Sequence, residues 1–324
     1  MTAALALLGY ALAIACWAPA LLARLTSGGA SVRPGLAAWL CAMASAVLAA
    51  GLATALMTQA AATAWPTLTR VLCQGVAGTT CTPQVYRSAL YSAGVAFLAT
   101  LVILAALVAL WRYGRRTQRA VSRTRLHARA VLLAGRQLAG TGAVVLDDPR
   151  PVAYCVAGHP AAIVVSSGAL AVLDSPQLAA VLAHERAHLA GRHHLLATVT
   201  RGLAAAFPRV PLFARGAEEV ARLAELAADD TAARSVGRPA LVAALLAITT
   251  GRVVPSSGVP GAAFPAAPSV ARGALAAAAL AVPARVERLL APPGRRTAAV
   301  AGLALALMSM VLLALPAGLA VVAG

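Results

Sequence analysis

The chain has 324 residues, of which 60% are apolar and 11% charged, and its formal net charge is +17. Because a typical soluble domain is about 25% charged, this composition excludes a wholly soluble globular protein and a disordered one. The positive charge does not indicate a nucleic-acid binder. All 27 basic residues are arginine, which fits the codon bias of a GC-rich genome better than a surface adapted to phosphates.

Four apolar stretches are long enough to cross a bilayer as helices, since the hydrocarbon core requires about 20 residues. They cover residues 3–23, 36–57, 89–111 and 298–323. All ten acidic residues lie between Asp147 and Glu287, which separates acid-free ends from an acid-bearing middle. We therefore expect a predominantly α-helical, polytopic membrane protein. Its predicted parts are three spans in residues 1–111, a water-facing domain in residues 112–296 and a fourth span in residues 297–324.

Arginines near the span ends predict the orientation, because cytoplasmic loops carry an excess of basic residues. Seven arginines lie between residues 112 and 129, directly after the third span, and four more precede the last span. The loop at residues 58–88 carries only two. We therefore expect the central domain in the cytoplasm, with both termini and the 58–88 loop outside the cell membrane. The basic cluster is interpreted as a contact with anionic lipid rather than with nucleic acid.

Cysteine positions divide in the same way. Cys73 and Cys81 lie in the predicted outer loop. Disulfides persist outside the cytoplasm and are rare within it, so this pair is a candidate disulfide. Cys155 lies in the cytoplasmic domain, where we expect a reduced, buried thiol.

The central domain begins with short β-like segments and continues with helices. Residues 143–146, 152–156 and 162–165 are apolar runs separated by turn residues, which is typical of strands. The pattern then becomes helical. Ser175 and Pro176 indicate an N-cap and a first helical residue, and a second helical stretch covers residues 217–234.

The first of these helices contains the sequence His184-Glu185-Arg-Ala-His188. Residues four apart lie above one another on an α-helix, so His184 and His188 present two imidazoles to one metal ion. Glu185 adjoins the first imidazole and can reach a water bound to that ion. In this HExxH pattern zinc acidifies the water and the glutamate takes its proton. We predict one Zn²⁺ ion, with both histidines as ligands and Glu185 as the general base.

A catalytic zinc needs a third protein ligand and an open fourth position. Glu225 and Asp229 lie four residues apart on the next helix and therefore share a face. Glu225 can supply the third ligand, while Asp229 hydrogen-bonds a ligand histidine. The alternative is an ordinary solvated acidic face, since three further acids are nearby: Glu218, Glu219 and Asp230.

His194 is a second candidate for the third ligand, because residues 184–194 match the longer metzincin signature HExxHxxGxxH. That signature also requires a methionine turn below the zinc. The methionines after the motif, Met308 and Met310, both lie in the last span. We therefore favour the carboxylate ligand and treat His193 and His194 as helix-end residues. If the helix continued, His193 would point away from the zinc-facing side.

At these residues the chain resembles the membrane zinc metallopeptidases of the BlaR/MecR type, and the resemblance covers most of the chain. It is densest in residues 152–158, 163–170 and 177–189. The Glu225-x-x-Ala-Asp229 pattern is shared with that family and with the related HtpX-type proteases. The resemblance implies a gluzincin-like α+β domain between spans three and four. It also implies zinc held by His184, His188 and Glu225, with Glu185 as base.

We therefore expect a membrane-embedded zinc endopeptidase that cleaves a protein on the cytoplasmic side. The resemblance implies a signalling role, with a transcriptional repressor as the substrate. One alternative is an HtpX-like quality-control protease. Another is a non-catalytic receptor with a structural zinc domain, which Glu185 disfavours because a structural site needs no general base. An extended substrate is expected to add as a strand beside an edge strand formed by Ala162, Ile163, Val164, Val165 and Ser166.

Overall fold

The computed structural model describes residues 2–76, 83–158, 161–254 and 274–322. Most of the described residues are helical, and the strands of a small sheet come between the third and fourth helices in the sequence. The helices are α1 (Thr2–Thr26), α2 (Val32–Val76), α3 (Pro83–Ala134), α4 (Ser167–Val172), α5 (Ser175–Ala190), α6 (His193–Ala206), α7 (Pro211–Val236), α8 (Arg238–Thr250), α9 (Ala274–Leu290) and α10 (Arg295–Val322). The strands are β1 (Arg136–Leu138), β2 (Ala143–Leu146), β3 (Ala153–Val156) and β4 (Ala162–Ser166).

Four of the described helices are long and apolar enough to cross a membrane, and they coincide with the four stretches predicted from the sequence. Their apolar portions are Thr2–Thr26, Val32–Thr63, Ala93–Arg119 and Arg295–Val321. The predicted loop at residues 58–88 is mostly helical instead, because α2 continues to Val76 and α3 begins at Pro83. Cys81 lies outside the described residues, so the predicted Cys73–Cys81 disulfide stays a prediction.

The sheet has the strand order β1-β2-β4-β3. The β2 and β4 strands run parallel, and the other two pairs are antiparallel. All five residues of β4 are buried, because this strand lies between β2 and β3 and is covered on both faces. The prediction that residues 162–166 form an edge strand is therefore wrong. The edge strands are β3 and β1, and β1 was not predicted because it has only three residues.

The start of α5 differs by one residue from the prediction. Asp174, rather than Ser175, is the N-cap, and its side chain accepts a hydrogen bond from the Gln177 backbone at 2.8 Å. The Gln177 side chain in turn accepts from the Asp174 backbone N–H. This reciprocal capping box satisfies two of the N–H groups that a helix start leaves unpaired. It fixes where α5 begins, and hence which of its residues face α7.

The α7 helix packs directly on the apolar helices. Trp39 and Met43 of α2 form one buried cluster with Leu212 and Leu223 of α7. Gly216 permits this close approach, because a Cβ atom there would collide with the Met43 side chain. The helix that carries the acidic pair of the candidate site is therefore anchored on a membrane-type helix.

Two arginines also connect helices α7 and α9 to the turn between α1 and α2. Arg222 of α7 donates to the Thr26 carbonyl at 2.9 Å. Arg288 of α9 donates to the Gly29 carbonyl at 3.0 Å and is paired with Asp230. These hydrogen bonds connect α7 and α9 to the backbone that joins the first two apolar helices.

Candidate active site

The α5 helix brings two imidazoles together as the four-residue spacing predicts. The Nε2 atoms of His184 and His188 lie 3.0 Å apart, and the rings meet edge to face. Both side chains are largely buried, at 11% and 14% exposed, and both approach Glu225 of α7. The two rings therefore face α7 rather than solvent.

The α7 helix places a carboxylate against both rings. Glu225 Oε2 lies 3.5 Å from His184 Nε2, and Glu225 Oε1 lies 3.4 Å from His188 Nε2. One turn later, Asp229 Oδ1 lies 3.0 Å from His184 Nδ1, an ion-pair contact without a well-aligned hydrogen bond. The Asp229 side chain is only 1% exposed, so its charge is withheld from water.

These side chains can converge on one zinc ion, which proteins bind at about 2.0–2.1 Å from nitrogen and oxygen. The two Nε2 atoms lie 3.0 Å apart, and the Glu225 carboxylate brings one oxygen near each of them. With one ligand atom taken from each of His184, His188 and Glu225, all three atoms lie within 4.8 Å of one another. Two imidazoles and one carboxylate are also the donor set of many catalytic zinc sites. These residues form the one candidate metal-binding group found within the described parts of the chain.

Glu185 lies beside the ligand cluster and is 9% exposed. Cys155, on strand β3, lies close enough to this carboxylate for the two groups to affect each other's pKa. Burial raises the pKa of Glu185, and the nearby His184 only partly opposes this effect. Burial and the Glu185 charge likewise raise the pKa of Cys155 to about 12. Cys155 is therefore a neutral, half-buried thiol, and Glu185 is a stronger base than an exposed glutamate.

The pKa values of the two histidines shift in opposite directions. Burial opposes protonation of His184, but the Asp229 and Glu225 carboxylates outweigh burial and raise its pKa to about 9. Burial lowers the pKa of His188 to about 4, and the positive charge of His184 adds to this effect. Without a metal, the pair therefore carries one positive charge near neutral pH, on His184, which contacts both carboxylates.

Arg285 is the main residue of the site that sequence reasoning missed. It lies on α9, is buried, and binds Asp229 through two hydrogen bonds of 2.7 and 2.6 Å. Its third nitrogen lies 3.1 Å from Glu225 Oε2. Burial alone would raise the pKa of Glu225, but His184 and Arg285 lower it to about 2. In the sequence Arg285 was only one of several arginines before the last span, and no spacing linked it to α7.

The two histidines after the motif behave differently from each other. His194 is exposed, and it is not among the residues brought together at the candidate metal site. A continuing helix would have pointed His193 away from His188, but the structure brings the two rings together. His193 Nδ1 lies 2.8 Å from His188 Nδ1, because α5 ends at Ala190 and the chain turns back. The glycine three residues after the motif was the signal that could have indicated this turn.

Comparisons with known proteins point to the same chemistry. Residues 116–272 match the model of Peptidase family M48. A protein described as Protease HtpX homolog, from Acidiphilium cryptum, is 39% identical over 80 residues, which cover 23% of this chain and 28% of that protein. No solved structure matches the chain. The central part of the chain is thus similar to M48 peptidases, and together with the apolar helices these matches support a membrane metallopeptidase.

Proposed function

We propose that the chain is a membrane-bound zinc endopeptidase with His184, His188 and Glu225 as the zinc ligands. The observation that carries this proposal is the convergence of two imidazoles and one carboxylate, whose ligand atoms lie within 4.8 Å of one another and form a donor set typical of catalytic zinc. The adjacent Glu185 is a buried glutamate, which a purely structural site does not need. A non-catalytic receptor is disfavoured for that reason.

Each residue of the site has a distinct proposed role in peptide hydrolysis. Zinc, when bound, supplies Lewis-acid chemistry that acidifies water and polarises a carbonyl. Glu185 takes the proton from the attacking water and passes it to the leaving amine. Its raised pKa suits both steps, because a base that must later act as an acid works best near the operating pH. Asp229 contacts His184 and Arg285 contacts Glu225, and these contacts orient the two ligand side chains.

The substrate is proposed to bind along β3 rather than β4. The β3 strand is an edge strand, and its residue Cys155 lies beside Glu185. An extended peptide that adds to this edge forms main-chain hydrogen bonds and passes next to the general base. Peptides with N-methylated backbones near the scissile bond should therefore be cleaved far more slowly than their unmethylated counterparts. Equal rates would remove the strand-addition proposal.

The side of the membrane and the natural substrate are proposed from the arginine distribution and from the similarities to known proteases. The arginine distribution favours a cytoplasmic catalytic domain with both termini outside. The similarity to a protein named Protease HtpX homolog favours quality control of membrane proteins as the role. The resemblance to the BlaR/MecR type favours cleavage of a transcriptional repressor in signalling. Cleavage of a purified winged-helix repressor at one site would support signalling, whereas degradation of unfolded membrane proteins at many sites would support quality control.

The enzymatic proposal is tested with the purified full chain in detergent. A chain stripped with a chelator should not cleave an unfolded protein such as casein, and one equivalent of zinc should restore cleavage. A matched variant, Glu225→Gln, should respond weakly to the same addition because its amide is a poor zinc ligand. Cleavage that persists without metal would contradict the proposal.

A further inference from the structure

The connection between α5 and α6 has an unusual backbone. Only Gly191 and Arg192 separate the two helices. Arg192 has φ 49° and ψ 36°, and it is the one non-glycine residue with positive φ in the described parts of the chain. A side chain in the left-handed region is unfavourable, so something in the surrounding structure must require this turn.

Gly191 shows what the turn accommodates. Its own φ is −75°, so any residue could adopt its backbone conformation. A Cβ atom at this position would instead collide with Nε2 and Cδ2 of the His193 ring. The missing side chain and the left-handed Arg192 therefore have the same effect, which is to let the His193 ring fold back over the end of α5.

The folded-back ring meets His188 on the side opposite the candidate metal site. His193 Nδ1 lies 2.8 Å from His188 Nδ1, and the rings are nearly perpendicular at 86°. The other nitrogen of His188, Nε2, faces His184 and Glu225 at 3.0 and 3.4 Å. Two ring nitrogens at 2.8 Å require one hydrogen between them. If Nε2 of His188 is used for a metal, that hydrogen belongs to His188 Nδ1, and His193 accepts it.

We propose that His193 is a positioning residue of the metal centre, which accepts a hydrogen bond from His188 Nδ1 and so fixes the tautomer and orientation of that ligand. This inference rests on the proposed function. Asp229 lies beside the corresponding nitrogen of the other histidine, with its Oδ1 3.0 Å from His184 Nδ1. Partners of this kind orient ligand histidines in metal sites generally, and their loss typically weakens metal binding by about 10–100-fold.

The experiment measures zinc affinity of the full chain in detergent by competition with a chromophoric chelator. His193→Ala and His193→Phe should both weaken binding by about 10–100-fold, since phenylalanine keeps the ring volume but cannot accept a hydrogen bond. His193→Asn should recover part of the affinity because its amide oxygen is an acceptor. His194→Ala is the matched control and should bind as wild type. Gly191→Ala should weaken binding with His193 intact, because it displaces the ring.

The visible spectrum of the cobalt-substituted protein provides the second readout. The His193 variants should keep the tetrahedral bands of wild type, because no direct ligand is removed. Wild-type zinc affinity in His193→Phe would show that the ring only fills space and would overturn the proposal. Loss of the tetrahedral bands would make His193 a ligand, which also overturns it. If wild type itself binds no zinc, the proposed function fails first, whereas failure confined to the His193 variants leaves that function intact.

Discussion

Removing the Arg285 guanidinium should strongly destabilise the domain that carries the candidate site. The Arg285 and Asp229 side chains are only 8% and 1% exposed, and two hydrogen bonds of 2.7 and 2.6 Å join them. Arg285→Ala leaves the Asp229 carboxylate buried with only the imidazole of His184 beside it. Breaking a buried ion pair from one side costs about 3–5 kcal/mol, because the remaining charge has lost its compensation.

The loss is large enough to measure by thermal unfolding. In domains of 150–250 residues, each kcal/mol shifts the melting temperature by about 2–4 °C, so Arg285→Ala should lower it by roughly 6–20 °C. The measurement is circular dichroism of the full chain in detergent, with a chelator present so that zinc binding does not contribute. Replacing both partners by apolar residues, as in Arg285→Met with Asp229→Leu, should recover much of the loss, because a buried pair contributes little net stability.

Arg150 provides the control, because its side chain is 73% exposed and it pairs with Asp148 at 2.7 Å on the surface. Arg150→Ala should leave the melting temperature unchanged, since exposed pairs contribute little. A shift below about 2 °C for Arg285→Ala, corresponding to less than about 1 kcal/mol, would refute the reasoning. It would mean that water reaches Asp229 or that another cation replaces Arg285.

Three further predictions concern the metal and the packing. Glu225→Ala should abolish most zinc binding, whereas Asp229→Ala should weaken it by about 10–100-fold, as measured by metal content after dialysis against a weak chelator. Zinc affinity should rise about tenfold per pH unit from pH 6 to pH 8, because the metal must displace the proton that His184 holds with a pKa of about 9. A pH-independent affinity by calorimetry would contradict this. Gly216→Val should lower stability by about 1–3 kcal/mol in thermal unfolding, because its side chain collides with Met43; an unchanged melting temperature would show that α2 and α7 adjust freely.

The sequence predicted the parts of the molecule that local spacing controls. His184 and His188 are adjacent because helical periodicity requires it, and the apolar helices follow from the length of each apolar run. The placement of Glu225 near them was predicted from its spacing to Asp229 and from the family resemblance. The structure brings these side chains together, while their role as ligands stays a prediction.

The features that were missed depend on long-range packing. Whether β4 is an edge or a central strand is decided by the strands that pair with it, and its own residues do not specify those partners. All five residues of β4 are apolar or small, which fits either position. Arg285 lies 56 residues from Asp229, and only the packing of α9 joins them. His193 was expected only as a helix-end residue, and its contact with His188 depends on the turn that follows Ala190.

The most direct test of the account is made on one preparation of Glu185→Gln. Zinc content and the rate of cleavage of an unfolded protein are measured on the same purified sample and compared with wild type. The glutamine has the same size but cannot take a proton, so the variant should bind one zinc per chain and cleave at least about 100-fold more slowly. Cleavage at the wild-type rate by a zinc-loaded Glu185→Gln would contradict the proposal that this chain is a zinc peptidase with Glu185 as its base.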